Sequence, residues 1–360
     1  MMWPYYVMVG TPALVALLGN HLKNRELKNR LIIASFFLIW LLILCFRSEK
    51  VGIDTINYHR MFIEASHMSF GRIFNIASSG ESDVAFYFIS KVISFFTMDF
   101  RVAMVIISVL SLGPIATLYI LNAKQNAYLS VVLFLSLGLF SIYFSALRQV
   151  LAMSFAVPAY YFTKNRKLVL FLLMAFLAFL FHHSAIVLLL MYPVYYFDLR
   201  INSSLLIIIP IIIIVYVFRV PIFSWLKAFL SDYQSGTIRE TGAIMVFLLL
   251  VGLLVLSYII PDNSLLDKDT LGMRNLLLLA TILQVFAGIN SLAMRMNYYY
   301  LLFIPLLIPR ILNSASEKNR YVANVIYVVM LGFFTFWYIF RAYTAGDTLH
   351  VYPFFPAWAL

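Results

Sequence analysis

Arg148, His182 and Arg295 each stand at the end of a long apolar run. A guanidinium offers parallel N–H donors that match the oxygens of a phosphate. An imidazole near neutral pKa is suited to taking a proton from a hydroxyl. Gathered at one membrane surface, these groups point to an anionic, lipid-linked substrate. The arginines have a second reading, in which they merely reach past the hydrocarbon to headgroup phosphates. Three residues so far apart in the chain meet one substrate only if the intervening segments bring them to the same side.

Composition defines those segments. Of 360 residues, 63% are hydrophobic and 11% charged, with a mean hydropathy of +0.93. No water-soluble fold hides that much apolar surface. Runs such as 205–218, 243–260 and 276–289 approach or reach the length that crosses about 30 Å of hydrocarbon. They do not alternate as barrel strands would. The expectation is an all-α, polytopic membrane helix bundle forming a single integral domain over 1–360. The run 3–18 has no basic segment before it and reads as a retained span rather than a cleaved signal. The formal net charge of +11 is spread over single positions and short loops, so it orients helices and does not indicate nucleic acid. The single cysteine, Cys45, lies in an apolar run and reads as a small core residue.

Basic residues cluster in the loops 21–30, 164–167 and 310–320, which the positive-inside rule assigns to the cytoplasm. If every apolar run crossed, the first two of these loops would fall on opposite sides. The run 84–96 is therefore withdrawn: it is short, carries Lys91 in its middle, and is followed at once by Asp99 and Arg101. It reads as a juxtamembrane or re-entrant helix at the outer surface. About twelve spans remain, with both termini outward. Two long outer segments follow, 47–101 and 219–242. Arg148, His182 and Arg295 all fall outward.

In the first outer segment, Gly52 and its polar neighbours signal a turn before a helix that starts near Asp54. Asp54 is either the N-cap of that helix or a carboxylate presented to a sugar hydroxyl. Glu81 and Asp83 precede the juxtamembrane helix and have the same two readings. Arg295 is followed by Asn297, Tyr298, Tyr299 and Tyr300, an interfacial aromatic belt or a stacking platform for a sugar ring. His182 and His183 diverge by about 100° at a helix end and lack carboxylate or thiolate partners at ligand spacing, so no metal is expected. No nucleotide-binding loop, nucleophile elbow or metalloprotease motif is present.

Taken in order, several pieces of the chain resemble the EpsG-type family of bacterial polysaccharide polymerases, which are Wzy-like in role. These are Gly52-Ile-Asp54-Thr55-Ile-Asn57-Tyr58, Glu81 with Phe86, Arg148-Gln149-Val-Leu-Ala152, Phe181-His182-His183-Ser184-Ala185, Arg295 with Tyr299, and Val351-Tyr352-Pro353-Phe354. Ser82-Asp83 stand where the family pattern has Pro-Gly. The architecture is also similar to GT-C glycosyltransferases, with juxtamembrane helices in the first outer loop.

The resemblance implies a metal-independent glycosyltransferase of the bacterial cytoplasmic membrane, with its site facing outward. It would move a growing glycan from a polyprenyl diphosphate carrier to a lipid-linked repeat unit, with no cofactor. It assigns Arg148, Arg295 and Gln149 to the diphosphate, His182 and Asp54 to proton transfer or phosphate contact, and Tyr58, Glu81 and Tyr299 to the glycan. Membrane lipids, a flippase and a chain-length regulator are the expected partners. A lipid-linked-sugar flippase would carry charge nearer the bilayer midplane and show repeats. A ligase moving finished glycan would use the same donor chemistry.

Overall fold

The computed structural model describes residues 2–78, 84–122, 124–199, 202–227, 240–264, 266–344 and 354–357. Glu81, Asp83, 228–239 of the second outer segment and 351–353 lie outside them. Every regular element among the described residues is a helix, with two isolated antiparallel bridges. Three helical stretches are long and apolar enough to cross a membrane: Arg25–Cys45, Phe100–Asn122 and Glu317–Tyr343. The number rises to five if two pairs bent by 72° and 47° each count as one span. The chain divides into two compact units, residues 1–186 with 331–360, and residues 187–330.

The first unit contains α1 (Trp3–Leu18), α2 (Arg25–Cys45), α3 (Thr55–His67), α4 (Phe70–Ser78), α5 (Val84–Ser94), α6 (Phe100–Asn122), α7 (Ala127–Ser136), α8 (Ile142–Ser145), α9 (Leu147–Lys164) and α10 (Leu168–Phe181). The run 84–96 is indeed a short helix. It buries Phe86, Ser90 and Ile93 at helical spacing. Its mid-helix Lys91, the residue that argued against a span, donates to the carbonyl of Ser66 at 2.7 Å and lies over the Phe95 ring. α3 buries Tyr58, Phe62 and Ala65 on one face. Tyr58, Phe62, Phe86, Phe100 and Leu147 share one apolar cluster against which Phe181 packs. The aromatic stretch from α7 is not one continuous helix. It breaks after Ser136 at Gly138, whose φ of +74° an L side chain rarely adopts, and resumes as the single turn α8.

The two ends of this unit are distinct. At one, Asn29 donates to the carbonyl of Lys124 and Asn122 to the hydroxyl of Tyr161, joining the start of α2, the end of α6 with the loop after it, and the last turn of α9. At the other, Ser48 N–H donates to the carbonyl of Phe355 and Ala357 N–H to that of Phe46. There Tyr5 also stacks edge-on to Phe354.

The second unit contains a 3-10 stretch (His183–Leu190, most of which it holds), then α11 (Met191–Tyr195), α12 (Leu205–Val217), α13 (Arg219–Lys227), α14 (Glu240–Ile259), α15 (Lys268–Gln284), α16 (Ser291–Leu301) and α17 (Ile304–Asn313). α18 (Arg320–Thr344) begins in it and ends in the first unit. The run near 296–312 is two helices rather than one, broken at Leu302–Phe303 just before Pro305. α15 starts several residues earlier than hydropathy suggests and so encloses Arg274, which is 1% exposed. The Arg274 guanidinium donates to the carbonyls of Ser257 and Leu199 and to Asn263, and lies 3.9 Å from the centre of the Tyr258 ring. Asp269 accepts from Tyr195 at 2.8 Å and pairs with Arg310 at 2.9 Å. A buried cation with this many partners offsets its desolvation, whereas removing one partner leaves a charge uncompensated.

Gly272 lies under the Tyr195 ring, which a Cβ would meet at 2.1 Å. That ring is held by Asp269 and cannot swing away without losing its hydrogen bond. Gly272→Ala is expected to lower stability by about 1–3 kcal/mol, measured as thermal unfolding in detergent.

Candidate functional site

The loop after α2 builds one wall of the site. Gly52 adopts φ +97°, and a Cβ there would fall 1.8 Å from the carbonyl oxygen of Phe144. Only glycine lets the two backbones approach this closely. The Thr55 hydroxyl lies 3.2 Å from the same oxygen, and the Ile53 N–H donates to the Ser145 hydroxyl. Arg47, fully buried, donates to the carbonyl of Tyr143 at 3.0 Å and lies over the Phe144 ring. Its Nε and Nη2 have no hydrogen-bond partner among the described residues, and burial pushes its pKa down to about 10. It remains a cation at neutral pH. Sequence reading missed Arg47, whose only signal was an arginine directly after an apolar run.

Residues 143–145 held in this way lead directly into α9, so Arg148 sits in its first turn. The residue before the helix, Ala146, has no side chain able to cap it. A cation in a first turn opposes the helix dipole, and the Arg148 N–H of that turn is bonded to the Tyr58 side chain. Arg148 therefore adds to an existing positive end, a combination that fits a bound anion better than it fits helix stability. Its guanidinium lies 5.7 Å from the centre of the Tyr58 ring and hydrogen-bonds the Tyr58 side chain. Burial raises the Tyr58 pKa, and Arg148 partly opposes that shift. Gln149, next in the chain, is buried.

Asp54 occupies the N-cap position of α3, as its sequence suggests, yet its side chain caps nothing. Three other helices use their caps: Asn24 accepts from Leu27 N–H, Asp267 from Thr270 N–H, and Asn290 from Leu292 N–H. The Asp54 carboxylate is half-buried and makes no hydrogen bond or ion pair among the described residues, while its charge reaches Tyr58. The carboxylate thus has no capping role, and it and the first-turn arginine both act on Tyr58.

His182 ends α10 in extended conformation and is 6% exposed. Its Nδ1 lies 2.6 Å from the Ser184 hydroxyl and accepts from the Ser184 N–H at 3.2 Å. His183 stacks on Phe179, and the Arg148 charge acts on its ring. Asp54, Tyr58, Arg148, Gln149 and His182 thus all belong to the first unit, in the same part of the fold. Ser184 is a second residue that sequence reading left without a role.

Arg295 and Tyr299 belong to the second unit. Arg295 is half-buried on α16, and Tyr299 is fully buried. Two turns of α16 are tied down: Asn297 donates to Gln284, whose amide donates to the carbonyl of Ala243, and Tyr300 donates to the carbonyl of Val187. A cleft in this unit is walled by Tyr216, Arg219, Val220, Phe247, Gln284 and Ile289. Among the described residues, no group of three or more His, Cys, Asp or Glu could hold a metal ion.

Among known protein families, the one described as the EpsG family matches residues 30–356. No curated protein and no solved structure matches the chain.

The contrast among caps gives a stability test. Asp54→Asn is expected to leave the unfolding temperature of the purified protein unchanged, within about 0.5 kcal/mol. Asp267→Ala, which removes a cap in use, should cost about 1 kcal/mol.

Proposed function

This chain belongs to the EpsG family, and on that premise we propose that it lengthens a polysaccharide at a membrane surface. The donor is a glycan on a polyprenyl diphosphate, and the acceptor is a hydroxyl of a lipid-linked repeat unit. The supporting observation is that Arg148, in the first turn of α9, and the uncommitted carboxylate of Asp54 both act on Tyr58. An anion site beside a proton acceptor is what transfer from a sugar diphosphate requires, because the leaving group is already activated. The protein has only to stabilise charge and remove a proton.

In this reading Arg148 and Gln149 hold the diphosphate, and Asp54 or His182 takes the acceptor proton. Tyr58 and Glu81 meet the glycan. Arg295 and Tyr299 keep the phosphate and glycan roles that the order of motifs assigns them. Both units act as one membrane-embedded enzyme of about twelve crossings, GT-C-like in its first outer segment, with α3, α4 and α5 lying at the outer surface. Within the first unit, the start of α2, which takes in much of the basic stretch 21–30, lies at the same end as the α6–α7 loop and the end of α9, and the 47–54 loop joins residues 143–145 at the other. This separation supports the parity of spans. The outer leaflet of the bacterial cytoplasmic membrane is the proposed place of reaction, with a flippase and a chain-length regulator as partners in the pathway.

Orientation can be read by labelling. With Cys45 replaced by alanine, a cysteine at Asn57 should react with a membrane-impermeant maleimide in intact cells, and one at Lys124 only after permeabilisation. The reverse pattern would sink the outward site.

Chemistry is tested by carrier-linked glycan analysis in a deletion strain carrying variants at equal expression. Arg148→Lys and Arg295→Lys should each lower polymer at least about 100-fold and leave single repeat units at the outer face. Repeat units trapped inside would indicate a flippase, and long chains left on the carrier would indicate a ligase.

A further inference from the structure

The Ser184 backbone N–H can only donate, and it donates to His182 Nδ1 at 3.2 Å, with the Ser184 hydroxyl 2.6 Å from the same atom. A ring nitrogen that accepts carries no proton, so the neutral ring bears its proton on Nε2. The ring has little room to exchange these roles. It is buried, its backbone is extended at the end of α10, and Phe181 beside it is stacked on Phe155 of α9. Flipping the ring would place a carbon against the Ser184 amide, at the cost of a buried hydrogen bond. A group locked in this form can give a hydrogen bond from Nε2 but has no lone pair there with which to take a proton. The Asp54 carboxylate has the opposite character: it only accepts, and nothing among the described residues occupies it.

We propose that Ser184 is a positioning residue that fixes His182 as a hydrogen-bond donor to the departing diphosphate, leaving Asp54 as the proton acceptor. This rests on the polymerase reading above and settles the role of His182 within it. In the transfer step the acceptor hydroxyl oxygen forms a bond to the anomeric carbon. The bond from that carbon to the diphosphate oxygen breaks, and its electron pair leaves with the diphosphate. The hydroxyl proton passes to the Asp54 carboxylate. His182 stays neutral throughout, its Nε2–H directed at the oxygen on which charge develops, beside the Arg148 guanidinium that shares the load.

Glutamine is the discriminating substitution. Its amide reaches about as far as Nε2 and offers an N–H there, but it cannot take up a proton at neutral pH. In a deletion strain with matched expression, His182→Gln should keep polymer within about tenfold of wild type, while His182→Ala and Asp54→Asn each lose about 100-fold or more. A second readout is independent of activity. Full-length protein labelled with 15N-histidine in lipid nanodiscs, with the His182 signals identified by their loss in His182→Gln, should show Nδ1 at an unprotonated shift and Nε2 at a protonated one. A protonated Nδ1 overturns the proposal. So does a His182→Gln variant as inactive as His182→Ala beside an active Asp54→Asn, which would make His182 the base. Full-length polymer from both His182→Ala and Asp54→Asn overturns the proposal together with the polymerase reading beneath it.

Discussion

The carbonyl oxygens of Tyr143 and Phe144 lie in the single turn α8, too short to supply all its own hydrogen-bond partners, in a protein most of whose surroundings are apolar. Such carbonyls must find donors inside the protein, because hydrocarbon offers none. The segment after α2 supplies them: Arg47 donates to Tyr143, the Thr55 hydroxyl is shared between Val51 at 2.9 Å and Phe144 at 3.2 Å, and Ser145 accepts from Ile53. Each bond alone stabilises by about 1 kcal/mol, and the charged one by more. Their joint effect is geometric. They bring the start of α3 and the start of α9 to one place, so that Asp54 and Arg148 both act on Tyr58. Gly52 is the condition for this arrangement, since any side chain there would collide with Phe144.

A second regularity concerns where polar side chains are used and where they are withheld. Asn24, Asp267 and Asn290 bind the first amides of their helices, as small polar residues at such positions usually do. Asp54 holds the same position and does not. Arg148 stands where the helix dipole disfavours a cation. Asn126 and Ser141 also leave their helices uncapped, so what sets Asp54 apart is its charge and the reach of that charge to Tyr58. The cation knot around Arg274 in the second unit shows the contrary case. There every recorded contact of the guanidinium is structural, and the residue reads as a fastening of the ends of α11, α14 and α15.

How far the fold was legible varied with the kind of signal. That 84–96 is not a full-length span was expected from one lysine and from the requirement that basic loops share a side, and the helix there is short and one-faced. Helix breaks were harder to read. Hydropathy treats 128–147 and 296–312 as continuous, whereas Gly138 and the turn before Pro305 divide them. A window average registers apolarity and is blind to one residue's φ or a missing N–H. Among the candidate site residues, Arg148 and His182 stand out in the sequence as polar groups at the ends of apolar runs, and Asp54 as a cap candidate after a glycine turn. Arg47 and Ser184 do not, because what they do is defined by partners distant in sequence or by the direction of a single hydrogen bond.

Composition and the order of motifs determined that this is an all-helical membrane protein of polysaccharide biosynthesis and which polar residues deserved scrutiny, since burial costs make every retained charge conspicuous in an apolar chain. Tertiary structure decided what those residues can do. Whether a carboxylate caps or stays available, and which nitrogen of an imidazole carries the proton, depends on neighbours within hydrogen-bond reach, and only the folded chain brings those neighbours together.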